Sequence, residues 1–576
     1  MRRILLLAAT LCSLAAAAQQ PIDPTAYRYP ILDVSGLHSA NFGEMRPGHF
    51  HAGIDIKTDG VEGKRLVAAM DGYVSRIVVQ AGGYGRAVYL TLRNGTTAVY
   101  GHLQRFRDDL EQLVREERYR RGSNSVDLWF TADRFPVRQG DLVGFSGNSG
   151  SSGGPHLHYE IRDTRDQRLR NPVSERIIPV IDSLPPRFMK LHYVEIDSID
   201  GICVRRPVES YAVVRSESGR YRLTRNEPLP VGRRGYFVAE VTDRRNGVQN
   251  TFGVWRLQAA IDGKPYFEFR IDHFTHDLSR TCDAVSDYAL QLGSRNEAIR
   301  LARTDGAPAL FYPMLVDRGV IGCEAGERRT VELLCEDDCD NRSQLAFEIV
   351  GRAEPFRAAA PEDPEVKVIR RNRAMSIAYN DLTVSIPAGT LYENQFARAS
   401  AGTLPKIDSG VVILSPAYRL FDARTPLAKE VQIAIRTHVP EALRLKAAIA
   451  VRNHLGKAAR LGGSCKQGAV TVETRSAGDW FVVADTLAPR IRPAFADGAD
   501  LRKANRLTFR VSDNFSGIAS WRLEIDGQWV PCDRYPMQGT LVFHFDRPAD
   551  GQLHRAVLRV SDGSGNSARW EGRYRR

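Results

Sequence analysis

The sequence lacks a long apolar stretch after its first twenty residues, which excludes a membrane-spanning helix from the remainder of the chain. A helix that crosses a bilayer needs about 18 or more apolar residues in a row, and no later segment of the 576 residues provides them. Hydrophobic residues make up 43% of the chain and charged residues 26%, which is ordinary for a soluble globular protein. This length exceeds what one hydrophobic core can organise, so we expect about three to five domains.

The apolar run at the start of the chain has the pattern of a secretory signal peptide. MRRILLLAATLCSLAAAAQQ combines two arginines, an apolar stretch and a series of small residues, with cleavage expected near Ala18. Cys12 follows Leu11, and not Gly or Ala, so the pattern does not favour a lipoprotein anchor. We therefore expect residues 1–18 to be removed and the mature protein to be exported, to the periplasm or to the cell surface and the extracellular space.

Cysteine is scarce, and the number left after the signal peptide is odd. Export permits disulfides, but an odd count leaves at least one thiol unpaired. Cys335 and Cys339 are close in sequence, which allows a local disulfide or two ligands to one metal ion. The third alternative is that both remain free thiols. The remaining cysteines are Cys203, Cys282, Cys323, Cys335, Cys339, Cys465 and Cys532.

The positive charge of the chain is not concentrated. The formal net charge of +12 is spread along the sequence, and the basic residues are not interleaved with aromatic residues. A modest excess of this kind suits an anionic polymer at the cell surface as well as a nucleic acid. Export argues against the nucleic acid, so we predict no nucleic-acid partner, while the sequence says nothing about a protein partner.

Two related hexapeptides divide the chain. DSLPPR at 182–187 and DTLAPR at 485–490 each stand between strand-like segments, and AEPFRAAAPEDPEV at 353–366 has the composition of a linker. We predict an N-terminal domain at 30–180, a β-sandwich region at 185–352, a β-rich domain at 366–486 and an immunoglobulin-like sandwich at 488–576.

The segments after residue 187 are typical of β-sandwiches. Short runs such as YFVAEV, RLTFRV and AVLRV alternate between apolar and polar residues. Several of them end in aspartate-rich turns that resemble those of bacterial immunoglobulin-like modules. An aspartate there can bond to its own backbone to shape the turn or bind calcium. The turns are VTDRRNG (241–247), CEDDCDNR (335–342), VSDNFSG (511–517) and VSDGSGN (560–566).

The N-terminal domain is predicted as antiparallel β with one helix. YVSRIVVQ (73–80), AVYLTL (87–92) and TTAVYGHL (96–103) have strand patterns and are separated by glycine turns. In RDDLEQLVREERYRR (107–121) the acidic residues come early and the arginines late, which predicts a helix.

Two histidines share one face of a predicted strand. In HLHYEIRD (156–163) the alternation places His156, His158 and Glu160 on one face. By itself an H-x-H pair is more often structural than metal-binding. HFHAGID (49–55) adds His51 and Asp55, which are about 13 Å apart on a straight strand, so the chain would have to bend at Gly53 for both to reach one ion.

Two histidines and one aspartate with a free fourth position would form an open, catalytic type of zinc site. His49 is more naturally a neighbour than a ligand. VYGHL (99–103) adds His102 at the end of a strand, where a solitary histidine is usually structural. The order H-x₃-D, G-H-L and G-P-H-L-H is far more specific than any of its parts.

The combined set resembles the lysostaphin/LytM-type zinc endopeptidases, which cleave peptide cross-links in peptidoglycan. The resemblance covers roughly residues 36–175, and its remaining motifs are VAAMDGYV (67–74), GGYG (82–85), VRQGDLVGFSGNSG (137–150) and RNP (170–172). It implies an antiparallel β domain with a groove over Zn²⁺ held by His51, Asp55 and His158. It also implies that His102 and His156 are the catalytic pair.

One segment departs from the family pattern. About 34 residues separate His102 from VRQGD, more than the short connection expected, and this insertion at about 105–136 adjoins the groove. Because some relatives have lost zinc ligands and act as activators, the alternative function is a non-catalytic peptidoglycan-binding or regulatory protein. All five expected positions are filled here, which favours the enzyme.

Overall fold

The computed structural model describes residues 23–217, 219–407 and 409–576. The predicted signal peptide, residues 1–18, lies outside the described residues. In the described part of the chain, no helix is both long enough and apolar enough to cross a membrane. The chain folds into several β-sheets with few helices, so the prediction of a mainly β, multidomain protein is confirmed.

The N-terminal domain contains fourteen strands and the longest described helix. Helix α1 spans Asp108–Arg121, has three acidic residues in its first turn and three arginines in its last, and ends at Gly122 in the left-handed conformation, as the dipole and capping rules favour. The strands are β1 His38–Ala40, β2 Met45–Arg46, β3 His49–Phe50, β4 Ile54–Lys57, β5 Arg65–Val67, β6 Gly72–Val79, β7 Arg86–Leu92, β8 Thr96–Gly101, β9 Arg105–Phe106, β10 Val126–Trp129, β11 Pro136–Val137, β12 Leu142–Phe145, β13 His156–Asp163 and β14 Leu169–Arg170.

Strand β13 lies inside the main sheet of this domain. The strand order is β1-β4-β13-β8-β7-β6-β10, so β13 has β4 on one side and β8 on the other. His158 is opposite Asp55 on β4 and Gly101 on β8. Because side chains alternate along a strand, the fully buried Leu157 and Tyr159 direct His156 and His158 to the opposite face.

A second sheet follows the N-terminal domain. Twelve strands form one connected sheet, in which β18 and β19 run parallel to β27. Two short helices, α2 Cys282–Val285 and α3 Tyr288–Gln291, lie between β23 and β24. The strands of this region are β15 Arg187–Ile199, β16 Ile202–Arg205, β17 Glu209–Arg215, β18 Tyr221–Leu223, β19 Leu229–Val231, β20 Gly235–Thr242, β21 Arg256–Ile261, β22 Lys264–Arg270, β23 His273–Phe274, β24 Glu297–Arg300, β25 Met314–Leu315, β26 Arg328–Glu336 and β27 Arg342–Gly351.

Two further regions each place a hydrophobic core between two sheets. The first has sheets of five and six strands, and the last has sheets of four and five. The strands of the first are β28 Lys367–Ile369, β29 Met375–Tyr379, β30 Leu382–Ile386, β31 Gln395–Ala397, β32 Ser400–Ala401, β33 Val411–Ile413, β34 Tyr418–Arg419, β35 Val431–Arg436, β36 Ala447–Arg452, β37 Ala458–Gly462, β38 Ser464–Lys466, β39 Ala469–Thr474 and β40 Asp479–Asp485. Those of the last, which we call the C-terminal module, are β41 Arg490–Pro493, β42 Ala499–Asp500, β43 Arg506–Ser512, β44 Ile518–Ile525, β45 Gln528–Val530, β46 Asp533–Tyr535, β47 Thr540–His544, β48 Leu553–Asp562 and β49 Ser567–Arg575.

The N-terminal domain and the twelve-stranded sheet share one continuous apolar core. Phe50 packs against Phe274 and Phe311, with ring centroids 5.7 and 5.5 Å apart. Strand β14 of the N-terminal domain pairs with β23 of the second region. The loop that carries His51 therefore lies at the junction of the two regions, and its position depends on both.

Candidate metal centre

The segment from His51 to Asp55 bends instead of continuing as a strand. Strand β3 ends at Phe50 and β4 begins at Ile54. A Cβ atom on Gly53 would lie 2.3 Å from the carbonyl oxygen of Tyr159, so only glycine allows the bend to pack this closely on β13. The bend brings the imidazole of His51 to the carboxylate of Asp55. A glycine is needed at position 53 because the backbone there lies against the neighbouring strand β13.

Three ligand atoms converge from His51, Asp55 and His158. Nε2 of His51 is 3.1 Å from Nδ1 of His158 and 3.2 Å from Oδ1 of Asp55, and the last two atoms are 2.9 Å apart. A tetrahedral ion with ligands at about 2.0 Å has ligand–ligand distances of about 3.3 Å. The three donor atoms are therefore close enough together to share one metal ion.

Hydrogen bonds on the far side of each imidazole orient the two histidines. Nδ1 of His51 is 2.7 Å from the carbonyl oxygen of Asn41, and Nε2 of His158 is 2.8 Å from Oε1 of Glu160. Each of these nitrogens can donate its proton to the oxygen, which leaves the other ring nitrogen as a lone-pair donor to a metal. Such outer contacts fix the tautomer and the ring orientation of metal-binding histidines.

Glu160 is itself held by further contacts. Its carboxylate accepts hydrogen bonds from Tyr84 and from Nε of Arg162, the latter at 2.6 Å. The Tyr84 ring also stacks on His158, with centroids 5.0 Å apart. Burial opposes ionisation of Glu160, but Arg162 and His158 hold its pKa below the ordinary range. Glu160 is therefore a carboxylate that can hold the proton on Nε2 of His158.

The pKa directions show that the centre favours a positive charge between carboxylates. Burial lowers the pKa of His51 to about 4, so this imidazole is neutral. Burial would also lower the pKa of His158, but its hydrogen bonds to Asp55 and Glu160 raise it to about 9. The second oxygen of Asp55 accepts a hydrogen bond from Arg46 at 2.7 Å, and the neighbouring histidines keep the pKa of Asp55 well below its usual value despite its burial.

Two further imidazoles stand beside this centre. The rings of His102 and His156 are 4.8 Å apart, and that of His102 is 5.9 Å from His158. Nδ1 of His102 is 2.8 Å from the carbonyl oxygen of Ser149, and Nδ1 of His156 is 2.8 Å from that of Gly154. Nε2 of His156 is 3.5 Å from Asp55. In both rings Nδ1 is held by a carbonyl, which leaves Nε2 for proton transfer.

His102 has an unusual backbone conformation. Its φ of +62° lies in the left-handed region, which few residues other than glycine adopt. Its amide donates a hydrogen bond to the carbonyl of Tyr84 at 2.9 Å. Burial lowers the pKa of His102 to about 3, so the ring is neutral near neutral pH. Strain of this type is frequent at functional sites.

The other histidine considered, His49, is exposed and its Nδ1 lies 3.2 Å from the carbonyl oxygen of Pro47. It does not belong to the group of residues whose atoms could share the ion. Sequence reasoning did not identify Asn41, Arg46 or Tyr84 as part of the site. Tyr84 and Arg46 lie within or beside the quoted motifs, but the contacts that fix Asn41 come from a distant part of the chain.

The glycine-serine run at 147–154, GNSGSSGG, is packed at its start and open at its tip. A Cβ on Gly147 would be 2.3 Å from the amide nitrogen of Gln104, and one on Gly150 would be 2.3 Å from that of Gly85. Around Gly153 and Gly154 there is open space. The run is therefore packed where it begins and has space around its last two glycines, just before His156.

The insertion at about 105–136 contacts the C-terminal module. Arg118 of α1 bonds to Asp533 at 2.6 Å, and Arg86 lies 3.4 Å from the same carboxylate. Gln538 donates a hydrogen bond to the carbonyl of Ser152 at 3.2 Å. The C-terminal module therefore contacts the glycine-serine segment that leads to His156.

All seven described cysteines are free. Cys335 is fully buried and Cys339 is half-buried, and burial raises the pKa of both thiols. Of the three possibilities for this pair, the structure shows free thiols.

Comparisons with known proteins bear on two parts of the chain. Residues 366–485 match the model of the Zu5-like domain. A segment of 137 residues is 32% identical to an uncharacterized metalloprotease of Haemophilus influenzae, covering 23% of this chain and 22% of that protein. Another alignment, of 112 residues, is 33% identical to the DD-carboxypeptidase/endopeptidase Mpg of Neisseria meningitidis, covering 19% and 20%. The chain thus spans about a fifth of the length of these curated relatives.

Among solved structures, the catalytic domain of the prophage-encoded M23 protein EnpA from Enterococcus faecalis aligns with 27% identity. The alignment covers 24% of this chain and 88% of that domain, with a TM-score of 0.18. The curated relatives confirm the resemblance to metallopeptidases of the LytM type that the sequence indicates.

Proposed function

We propose that this protein is an exported, zinc-dependent endopeptidase that hydrolyses peptide cross-links of peptidoglycan. The observation that carries the proposal is the convergence of Nε2 of His51, Oδ1 of Asp55 and Nδ1 of His158 within 3.2 Å of one another. The rings of His102 and His156 stand beside them. In a wall-binding or regulatory domain the metal ion would have only a structural role, and the two additional imidazole rings would not be required.

The donor set fits zinc. Two imidazole nitrogens and one carboxylate oxygen form the three-ligand set of catalytic zinc sites, in which a fourth position remains open. The hydrogen bonds that the two histidines donate to the carbonyl of Asn41 and to Glu160 are the outer contacts that such ligands normally have. When bound, zinc supplies a Lewis acid that polarises the scissile carbonyl and makes water more acidic.

The two remaining histidines divide the proton transfer. One neutral imidazole accepts the proton of the attacking water through Nε2, because its Nδ1 is already bonded to a carbonyl. The other stabilises the developing oxyanion or protonates the leaving amine. The buried position of His102 lowers its pKa, so its ring begins the cycle without a proton.

The substrate follows from the relatives and from the groove. The Neisseria protein is named for carboxypeptidase and endopeptidase activity, and the LytM type acts on wall peptides. The open tip at Gly153 and Gly154 admits an extended peptide, while the insertion at about 105–136 borders the groove and can set its choice of substrate.

The proposal is tested by digesting purified peptidoglycan with the full chain and with its His102→Ala and His158→Ala variants. Muropeptides are resolved by chromatography, and bound zinc is measured by elemental analysis. We expect release of peptides by the wild type, loss of zinc and activity in His158→Ala, and loss of activity with zinc retained in His102→Ala.

The exposed His49 offers a matched control, since His49→Ala should keep both zinc and activity. Chelation should abolish turnover, and zinc should restore it. Wild-type protein that binds zinc and pellets with peptidoglycan but releases no muropeptides would establish the non-catalytic alternative. Retention of zinc by both His102→Ala and His158→Ala would overturn the ligand assignment.

A further inference from the structure

Three aspartates from distant parts of the chain meet where the N-terminal domain joins the twelve-stranded sheet. Asp182 belongs to the hexapeptide DSLPPR (182–187), which we call a hinge, as we do the related DTLAPR (485–490). Asp243 follows β20, and Asp337 follows β26. One carboxylate oxygen of each lies within 4.8 Å of the other two. We call this group the hinge triad. It is separate from the centre around His51 and shares no residue with it.

Asp243 is the residue that requires an explanation. It is fully buried, and neither of its carboxylate oxygens has a hydrogen-bond partner. An ionised carboxylate in that state costs several kcal/mol unless an opposite charge or donors compensate it. Burial and the nearby Asp337 raise the pKa of Asp243 to about 9, which expresses the same cost.

The cations and donors nearby are already engaged. Arg245 pairs with Asp338 and lies 2.9 Å from Nδ1 of His38. The carboxylate of Asp337 accepts hydrogen bonds from the amide and side chain of Asn341, and Asp182 accepts from the amide of Asn246. These contacts engage Asp337 and Asp182, while the two carboxylate oxygens of Asp243 have no hydrogen-bond partner.

We propose that the hinge triad of Asp182, Asp243 and Asp337 binds a calcium ion. All of its donors are carboxylate oxygens, which hard cations prefer over zinc-type ligands. Calcium–oxygen bonds measure about 2.3–2.6 Å, so two oxygens on opposite sides of one ion are about 4.8 Å apart. The 4.8 Å limit within the group is therefore compatible with all three ligands on a single ion.

The same constellation occurs a second time in the chain. Asp485 of the DTLAPR hinge lies near Asp513 and Asp562, again with oxygens within 4.8 Å. Asp562 accepts from the amide and side chain of Asn566 four residues on, as Asp337 does with Asn341. The two groups differ at the second aspartate in chain order, which is Asp243 in the first group and Asp513 in the second. One oxygen of Asp513 accepts hydrogen bonds from the amides of two turn residues, Phe515 and Gly517.

This second group also has a cation near it. Burial lowers the pKa of the Arg460 guanidinium, and the charges of Asp562 and Asp485 oppose this effect. The guanidinium donates a hydrogen bond to the carbonyl of Gly563 at 2.7 Å. Its middle carboxylate, Asp513, is only half-buried. One oxygen of Asp513 is also buried without a hydrogen-bond partner, whereas both oxygens of the fully buried Asp243 lack one.

Calcium at the hinge triad would fix the N-terminal domain to the following sheet. Asp182 ends the N-terminal domain, while Asp243 and Asp337 stand at the ends of two strands of the sheet. An ion that joins the three would restrict the hinge at 182–187, next to the interface that holds the loop of His51.

The proposal is tested by titrating calcium chloride into the full chain after metals have been removed and zinc has been restored in stoichiometric amount. Extracellular calcium sites have dissociation constants of about 10⁻⁴–10⁻³ M, so calorimetry is carried to about 10 mM. We expect the wild type to bind one calcium ion that Asp243→Asn does not bind, and Asp513→Asn, the matched substitution in the second group, to retain it. The melting temperature should rise with calcium in the wild type and not in Asp243→Asn.

Several results would overturn the proposal. One is a wild type that does not bind calcium at 10 mM, and another is an Asp243→Asn variant with the stoichiometry of the wild type. A magnesium affinity equal to that for calcium would refute the choice of ion. Should Asp243→Asn fail to fold, Asp182→Asn removes a ligand from the rim of the same group, and unchanged calcium binding in that variant would contradict the site.

Discussion

The backbone carbonyl of Asn41 accepts a hydrogen bond from Nδ1 of His51 at 2.7 Å. The side chain of Asn41 is held in turn by Gly253 of the next region, through a 2.8 Å bond to its carbonyl and a 3.0 Å bond from its amide. The orientation of a proposed metal ligand therefore depends on a residue about 200 positions away in the sequence. The twelve-stranded sheet is thus part of the support of the metal centre.

Asn41→Ala should weaken zinc binding without unfolding the protein. The substitution removes both hydrogen bonds to Gly253 and frees the carbonyl that holds His51, and loss of such an outer contact reduces metal affinity by about 10–100-fold. Competition with a chromophoric chelator measures the affinity. Asn124 is a matched control, because it also bonds to another region, at the amide of Cys532 and the carbonyl of Trp521, and not to a residue that holds a proposed ligand. Equal zinc affinity in Asn41→Ala and Asn124→Ala would contradict this role.

The left-handed backbone of His102 predicts different effects for two replacements. Asparagine tolerates a φ of +62° and valine does not, so His102→Asn should keep the wild-type melting temperature while His102→Val should lose about 1–3 kcal/mol of stability. Both should retain zinc and lose turnover, since neither side chain can accept a proton as imidazole does. Urea unfolding compares the stabilities, and two equally stable variants would argue against strain at this position.

The glycine-serine run predicts opposite results at its two ends. Gly147→Ala places a Cβ atom 2.3 Å from the backbone of Gln104, so the run must shift, at a cost of about 1–3 kcal/mol or more. Gly153→Ala meets open space and should leave both stability and zinc affinity unchanged. Thermal unfolding of the two variants provides the measurement. If Gly147→Ala is as stable as Gly153→Ala, the start of the run is not packed as described above.

Asp533→Ala should loosen the contact between the C-terminal module and α1. The carboxylate serves both Arg86 and Arg118, whose side chains are only 4% and 6% exposed, and removal of one partner from a buried ion pair costs about 3–5 kcal/mol. Arg86 keeps its ion pair with Glu111, so the loss of stability should be at the lower end of this range, about 3 kcal/mol.

Asp546→Ala is the control for this contact, because Asp546 accepts a surface hydrogen bond from Tyr119 and such contacts contribute little. Limited proteolysis of the junction, combined with urea unfolding, measures the docking. A variant Asp533→Ala that resists protease as well as Asp546→Ala would show that the ion pairs do not hold the module.

Local pattern was enough to predict much of the N-terminal domain. The alternation in HLHYEIRD placed His156 and His158 on one face and Leu157 and Tyr159 on the other, because side chains of a strand alternate whatever surrounds it. The structure shows that the second face is buried. The charge gradient of 107–121 predicted α1, because acidic and basic residues stabilise opposite ends of a helix. The domain limits and the roles of the site residues remain predictions.

Other features depended on contacts that no local pattern encodes. The sequence named His51, Asp55 and His158 as ligands and His102 and His156 as the catalytic pair, but their common support lies partly in a different region. Asn41 is fixed by Gly253, and Glu160 is held by Tyr84 and Arg162.

The aspartate turns show the same division. The sequence by itself determined that each turn has an aspartate able to bond its own backbone, since this needs only residues a few positions apart. Only the tertiary structure decided that Asp243 has no partner of its own, while Asp513 has the amides of its turn. The reason is that burial and the meeting of distant strands, and not the local sequence, determine which charges must be compensated.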